Sequence, residues 1–179
     1  MAMSDHILER NLESRDSRSP GHRIRQAGMA QRGRLDPFVD QEKPREHSLC
    51  PHCGATVHQG RWSWHQAVES APEQICPACR RIAERLPAGE LELSGPFLQE
   101  HEEEVMHLLL HNEQRYRSEH PLERMMWMEN NGLSGATRIA FSGHHITQGL
   151  AKRLQRAYGG RLSGDDVTPG SKLRLQWHR

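Results

Sequence analysis

Apolar and polar residues alternate in two short segments, one near the middle of the chain and one at its end. Residues 90–94 (ELELS) and residues 173–177 (LRLQW) each place an apolar side chain at every second position. A period of two is typical of a strand that buries one face and exposes the other. Both segments are therefore predicted to be half-buried strands.

Two longer segments space their apolar residues three and four positions apart, as an amphipathic helix does. The first runs from Phe97 to about Tyr116 and begins with a run of glutamates. The second runs from His144 to Tyr158, after which Gly159 and Gly160 are expected to stop it. The chain is thus predicted to contain two substantial helices in its second half.

The remaining apolar segments of this half complete a recognisable order of elements. Residues 122–128 are apolar enough to be buried, and strands are predicted at residues 135–141 and 161–163. The order strand, helix, strand, strand, helix, strand, with one extra terminal strand, is the split βαβ pattern of ferredoxin-like domains. The sequence predicts an α+β protein with such a domain over residues 89–179.

Residues 48–88 have no such periodicity and are organised by cysteine instead. Two C-P-x-C pairs, Cys50 with Cys53 and Cys76 with Cys79, are separated by 22 residues. Each pair can direct two thiolates at one ion from a tight turn, and two pairs complete a closed tetrahedral zinc site. We predict a four-cysteine zinc ribbon, closed by a short basic helix over residues 80–86.

Other interpretations of these cysteines are weaker. Disulfides are rare in a cytosolic chain, and a redox dithiol needs one C-x-x-C rather than a matched pair of them. His52, His58 and His65 are near enough to serve as replacement ligands, but four thiolates already fill a tetrahedron. A fully thiolate site has no open position, so the metal is expected to hold structure and not to activate water.

The first 47 residues are expected to lie outside any core. Only 35% of the 179 residues are hydrophobic, below the roughly 45–50% of ordinary domains. Residues 15–34 carry six arginines against Asp16 alone, among Ser, Pro, Gly and Gln. Such a segment is predicted to be a disordered basic arm, either solvated or ordered by a phosphate-bearing partner.

Charge is segregated along the chain although its formal net value is only +1. Residues 89–130 carry a net charge of −7 and residues 131–179 a net charge of +6. Glu102, Glu103 and Glu104 open the first long helix, where a solvated acidic face is the simplest interpretation. The basic excess at the end suggests a surface for nucleic acid, although solvation explains it equally well.

The candidate nucleic-acid contacts combine cations with two tryptophans. Trp62 and Trp64 would share one face of an extended segment, where they could stack on bases or simply pack. The full candidate set is Arg23, Arg25, Arg32, Arg34, Arg61, Trp62, Trp64, Lys172 and Arg174.

No membrane location is expected. The sequence has no apolar run near the roughly 20 residues that a span requires, and its mean hydropathy is −0.84. Residues 1–21 are polar and lack the apolar region of a signal peptide, so the cytoplasm is the expected compartment.

The chain resembles a family of uncharacterised bacterial zinc-ribbon proteins. The resemblance rests on the paired knuckles, Arg61-Trp62-Ser63-Trp64, residues 91–95 and residues 173–177, and covers about residues 48–179. That family is distantly similar to the large-ribosomal-subunit nuclear export adaptor of archaea and eukaryotes. The resemblance implies binding to RNA or a ribosomal subunit, with Cys50, Cys53, Cys76 and Cys79 as zinc ligands.

The leading functional hypothesis is accordingly a non-enzymatic, zinc-binding RNA or ribosome binder. The alternative is a protein-interaction module in transcription or stress regulation that docks a basic partner on its acidic helix. An enzyme is the third hypothesis, because Ser142, His144 and His145 form the one adjacent cluster with chemical potential. A helix N-cap at Ser142, with the histidines on the first turn, is the simpler interpretation.

Overall fold

The computed structural model of the protein describes residues 43–132, 135–164 and 171–179. The predicted basic arm lies outside these residues except for its last five positions. All described residues belong to one compact unit. The α+β class predicted from the sequence is confirmed, whereas the boundary between ribbon and sheet domain at residues 88 and 89 stays a prediction.

The ribbon begins with a two-stranded antiparallel hairpin, β1 (Thr56–His58) and β2 (Arg61–Ser63). Its turn is formed by Gln59 and Gly60, whose φ angles of 52° and 71° are both positive. Two-residue hairpin turns of this kind require positive φ at both central positions. The Glu46 carboxylate accepts hydrogen bonds from both turn amides, at 2.8 and 2.9 Å, and so fixes the turn.

Helix α1 (Pro77–Glu84) closes the ribbon and begins three residues before the predicted start at Arg80. The earlier start has a local cause, because the Cys76 sulfur accepts a hydrogen bond from the Cys79 amide and acts as the N-cap. Pro77 follows at the first helical position, which suits its fixed φ and missing N–H. The second cysteine pair therefore lies on the helix itself.

The second half of the chain forms a five-stranded sheet. Its strands are β3 (Gly89–Ser94), β4 (Met125–Asn131), β5 (Ala136–Phe141), β6 (Arg161–Gly164) and β7 (Leu173–His178). Their order across the sheet is β4-β5-β3-β7-β6. β5 separates β3 from β4, as a split βαβ unit requires. The extra terminal strand, β7, enters the sheet beside β3, runs parallel to it, and leaves β6 at the edge.

Three helices complete the domain: α2 (Pro96–Glu100), α3 (Glu102–Glu119) and α4 (His144–Tyr158). The single helix predicted from Phe97 is interrupted at His101, whose φ of −126° is not helical. α4 has the predicted bounds. Residues 122–128 are predicted to be buried, but in β4 residues 125–127 are half-buried and residues 128–131 are exposed. This suits a strand at the edge of the sheet.

One face of the sheet packs against the helices and forms the main core. Trp177, the largest fully buried side chain, lies at its centre and donates its indole N–H to the Gly159 carbonyl at 2.9 Å. The other members come from two strands, β3 and β5, and from all three helices: Leu91, Leu93, Leu98, Val105, Leu109, Ile139, Phe141, Ile146, Leu150, Ala151 and Leu154. The opposite face of the sheet carries polar and charged residues.

The contact between β3 and α4 generates a stability prediction. A methyl group at Gly89 would overlap the side chain of Thr147, which is fully buried on α4. Gly89→Ala should therefore lower the free energy of unfolding by about 1–3 kcal/mol, the usual cost of overpacking a core. Denaturant unfolding measures this change.

Gly132→Ala is the matched control, because no atom lies within 4 Å of the added methyl group. Adding Thr147→Ala to the Gly89 variant should recover part of the loss by relieving the overlap. Equal stability of the Gly89 and Gly132 variants would contradict the close β3–α4 contact.

Candidate metal centre

The four cysteines converge on one point between the hairpin and α1. Their Sγ atoms all lie within 4.8 Å of one another, and those of Cys53 and Cys76 are 3.8 Å apart. A disulfide requires about 2.05 Å, so this separation belongs to free thiols. Cys50, Cys76 and Cys79 are buried and Cys53 is half-buried. The arrangement is that of a metal site, as predicted.

Backbone hydrogen bonds hold the first cysteine pair in a knuckle. The Cys50 amide donates to the Ala55 carbonyl at 2.7 Å, and the Gly54 amide donates to the Cys50 carbonyl at 2.9 Å. The Cys76 amide donates to the Cys50 sulfur at 3.4 Å and ties the two pairs together. Amide donors directed at sulfur favour the thiolate form that binds a metal.

Burial and backbone amides act in opposite directions on these thiols. Burial alone would raise the pKa of Cys50, but the amides of Cys76, His52 and Cys53 outweigh it and lower that pKa to about 7. At Cys79 burial prevails and raises the pKa to about 11. Burial also raises the pKa of Cys76. A metal ion must displace these protons, so binding should strengthen as pH rises.

Arg124 lies beside the cluster and is the main residue of the candidate site that the sequence did not indicate. Its guanidinium donates to the Cys79 sulfur at 3.6 Å and to the Pro121 carbonyl at 2.6 Å. Arg124 is the last residue before β4, and it is only 5% exposed. A buried cation needs a counter-charge, which the thiolates would provide once a metal ion has displaced their protons.

Ser142 fixes the backbone on either side of Arg124. Its hydroxyl accepts from the Arg124 amide at 2.8 Å and donates to the Leu122 carbonyl at 2.7 Å. Ser142 is therefore not the N-cap of α4, contrary to the sequence-based expectation. The N-cap is Gly143, and the Glu123 carboxylate takes over the capping role by accepting from the Ile146 amide at 2.8 Å.

His144 and His145 occupy the first turn of α4, as expected. The Ser142 hydroxyl is already engaged in backbone hydrogen bonds, so it faces the segment before β4 and not the histidines.

The two ribbon tryptophans contact the protein itself. Trp62 packs against the cysteine cluster. The Trp64 indole N–H donates to the Arg117 carbonyl at 2.6 Å, near the end of α3, and the Arg124 guanidinium lies 5.7 Å from the ring centroid. Trp64 remains 39% exposed. Both tryptophans thus make packing contacts within the protein, and stacking on bases stays a prediction.

The other candidate nucleic-acid residues are dispersed. Arg23, Arg25, Arg32 and Arg34 lie outside the described residues. Arg61 is exposed on β2. Lys172 donates to the Glu90 carboxylate at 2.7 Å, and Arg174 lies 4.0 Å from the same carboxylate. These two cations therefore belong to an ion-pair cluster on the open sheet face.

Comparison with known proteins adds no relative: no family model matches the chain, and neither the curated proteins nor the solved structures gave a significant match. Among the described helices, none combines the length and the apolar character that crossing a membrane requires.

Loss of one thiolate should release the metal. In Cys50→Ser we expect the metal content of the purified protein to fall well below one ion per chain and the ribbon to lose its fixed structure, because metal binding supplies its folding energy. Metal analysis and near-ultraviolet circular dichroism measure both effects.

His52→Ala is the control for this variant. His52 lies between the two knuckle cysteines but is exposed, and only its backbone amide supports Cys50. A full metal complement in Cys50→Ser would contradict the four-thiolate site.

Arg124 should strengthen metal binding without being a ligand. Arg124→Met keeps much of the side-chain length and removes the charge, so we expect metal affinity to fall about 10–100-fold, as for other outer-shell substitutions. Competition against a chromophoric chelator gives the affinity.

Arg117→Met is the matched control, because Arg117 is exposed and contributes its backbone carbonyl, not its guanidinium, to the contact with Trp64. Unchanged affinity in Arg124→Met would show that the guanidinium does not support the site.

Proposed function

We propose that this protein is a non-enzymatic zinc protein that binds RNA on a ribosomal subunit. The proposal of zinc is supported by the ligand set and its spacing. Four thiolates at about 2.3 Å from a tetrahedral ion lie about 3.8 Å apart, and the Cys53 and Cys76 sulfur atoms have a separation of 3.8 Å. Zinc is the common ion of closed four-cysteine sites in ribbons of this kind.

A structural role for the ion follows from the same ligand set. Four sulfur ligands leave no position for water or substrate, so the ion would not polarise a reacting group. Its role would be to hold the ribbon, which is too small to fold on its apolar contacts alone.

The observation that carries the proposal of RNA binding is the charge of α4. Its 15 residues include Lys152, Arg153 and Arg156 and no acidic residue. All three cations are exposed, and none makes an ion pair with another residue in the described parts of the chain. Clustered cations without counter-charges favour a polyanion, and RNA is the polyanion that neutralises them along a chain of phosphates.

Two further features agree with this proposal. The arginine-rich residues 15–34, which lie outside the described residues, would add further phosphate contacts. The resemblance of the knuckles and the terminal strand to ribbon proteins similar to the subunit export adaptor makes a ribosomal subunit the preferred source of the RNA.

The acidic first turn of α3 supports an alternative function. Glu102, Glu103 and Glu104 are exposed, and the Glu102 carboxylate is near the Asn130 amide, at 3.3 Å, on the edge strand β4. A basic protein partner could dock on this surface. Such a module would act in transcription or stress regulation and would not depend on RNA.

Sedimentation distinguishes the two functions. We expect the tagged full-length protein to travel with a ribosomal subunit in a sucrose gradient at low salt and to move to the top as salt rises. Binding to RNA releases counterions, and this release becomes less favourable as the salt concentration rises. Removal of residues 1–42 should reduce the salt dependence and leave Glu46 in place to hold the hairpin turn.

The gradients are repeated with the Cys50→Ser variant to test whether the ribbon is needed. A wild-type protein that stays at the top of every gradient would exclude the ribosomal subunit and favour the acidic-helix module.

A further inference from the structure

A cleft between α3 and α4 concentrates the unpaired positive charge of the domain. The two helices meet where the end of α3 passes the start of α4, and the cleft consists of two adjoining hollows that share Tyr116, His145 and Arg153. Lys152, Arg156 and Gln148 complete the first hollow, whereas Arg115, His120 and Glu119 line the second together with Asn112. Neither hollow was indicated by the sequence.

Gly149 shapes the floor of this cleft. A methyl group at Gly149 would overlap the hydroxyl and ring of Tyr116, so the Tyr116 side chain lies this close to α4 only because position 149 has no side chain. The Tyr116 ring meets the His145 ring edge-on, with centroids 5.5 Å apart, and the His145 ring lies 6.0 Å from that of His120. Three rings therefore border the cleft beside its cations.

The charge of the cleft is strongly unbalanced. Four cations line it, Arg115, Lys152, Arg153 and Arg156, against one carboxylate, Glu119. Within residues 43–132, 135–164 and 171–179, none of these four cations forms an ion pair. Lys152 with Arg156 and Arg153 with Arg156 have the spacing at which like charges on a helix destabilise each other.

The opposite face of the sheet has a different balance. There Glu90 pairs with Lys172, and Glu92 lies 3.7 Å from Arg138. Cations on that face already have counter-charges, so an incoming phosphate would compete with carboxylates. In the cleft it would meet four cations and one carboxylate.

We propose that the α3–α4 cleft binds the backbone phosphates of a single-stranded RNA segment, with Lys152, Arg153 and Arg156 as phosphate contacts and the Tyr116, His120 and His145 rings beside the bases. This inference rests on the proposed RNA-binding function and assigns it a site. Aromatic rings next to cations are the combination that single-stranded nucleic acid uses, because every base presents a face for stacking.

The test is fluorescence anisotropy with the full-length protein and a 3′-labelled, mixed-sequence 12-nucleotide RNA. Arg153→Ala should weaken binding at least 5-fold at low salt and reduce the slope of log affinity against log salt by about 0.7, the value for one lost phosphate contact on a single strand. Arg138→Ala removes the same charge from the opposite sheet face and should change the affinity less than 2-fold.

Gln148→Glu is a second variant that removes no cation. It adds a negative charge inside the cleft, and it should weaken binding as Arg153→Ala does. Circular dichroism and metal content must match the wild type in all three variants, which is expected because the altered side chains are exposed or half-buried.

The outcomes separate this proposal from the proposed function. Wild-type binding with equal affinities in Arg153→Ala, Gln148→Glu and Arg138→Ala would overturn the cleft site and leave RNA binding standing. No binding of the 12-nucleotide RNA by the wild type would overturn the single-strand site, and the sedimentation experiment would then decide the ribosomal proposal separately.

A free or terminal phosphate is the other source of the same chemistry. If the cleft holds backbone phosphates, RNA oligomers with a 5′-phosphate and with a 5′-hydroxyl should bind equally. Inorganic phosphate at about 5 mM, a concentration that would occupy a site of millimolar affinity, should not compete at constant ionic strength. A strong preference for the 5′-phosphate, or competition by inorganic phosphate, would overturn the assignment to the RNA backbone.

Discussion

Four sulfur atoms confined within 4.8 Å of one another are the constraint on which the ribbon depends. Apart from the cysteines, the buried apolar cluster there contains only small side chains, Ala55 and Ala78, with Trp62 and Leu122 at its margin. So little apolar surface cannot offset the entropy of ordering the chain, and deprotonated thiolates at this distance repel one another. A metal ion reverses the sign of that interaction. Cys76 has a second, local role, since its sulfur caps α1 as well as lying in the cluster.

The metal centre and the sheet domain are joined through one buried guanidinium. Arg124 belongs to the segment before β4, yet it donates to the Cys79 sulfur on α1. Its backbone is fixed in turn by Ser142, at the end of β5. The Trp64 indole adds a second tie, to the carbonyl of Arg117 on α3. A four-thiolate site around a divalent ion carries excess negative charge, and Arg124 offsets part of it from the sheet side. Metal binding would thereby also affect how the ribbon packs against the sheet domain.

Sequence patterns predicted most of the fold because the relevant signals are local. Alternation marked β3 and β7, apolar spacing and Gly159 gave α4, and the two C-x2-C pairs identified the cluster. The interruption at His101 and the early start of α1 depend on hydrogen bonds that no periodicity contains.

The residues that the sequence could not assign act across long separations. Arg124 is 45 positions from Cys79, and Glu123 caps a helix that begins 21 residues later. Ser142 had the residue type of an N-cap, but its hydroxyl had better partners in the segment before β4. The position of β7 between β3 and β6 is likewise a property of the whole sheet. Such roles follow only once the topology has brought the segments together.

The two faces of the sheet domain differ less in how many cations they carry than in whether those cations pair with carboxylates. The final 49 residues have a net charge of +6, but the sequence alone does not tell which of their cations face carboxylates. The parallel pairing of β3 with β7 places Glu90 opposite Arg174, with Lys172 beside it, so these cations contribute mainly to the sheet. The cations of α4 have no carboxylate on their own helix, and Arg115 of α3 lines the same hollow as Arg153 and adds a further positive charge. Like charges at this spacing destabilise a helix. Within the described residues no carboxylate pairs with these cations to offset their repulsion. A polyanionic partner would offset this repulsion, and for this reason the proposed function is assigned to the helical side and not to the open sheet face.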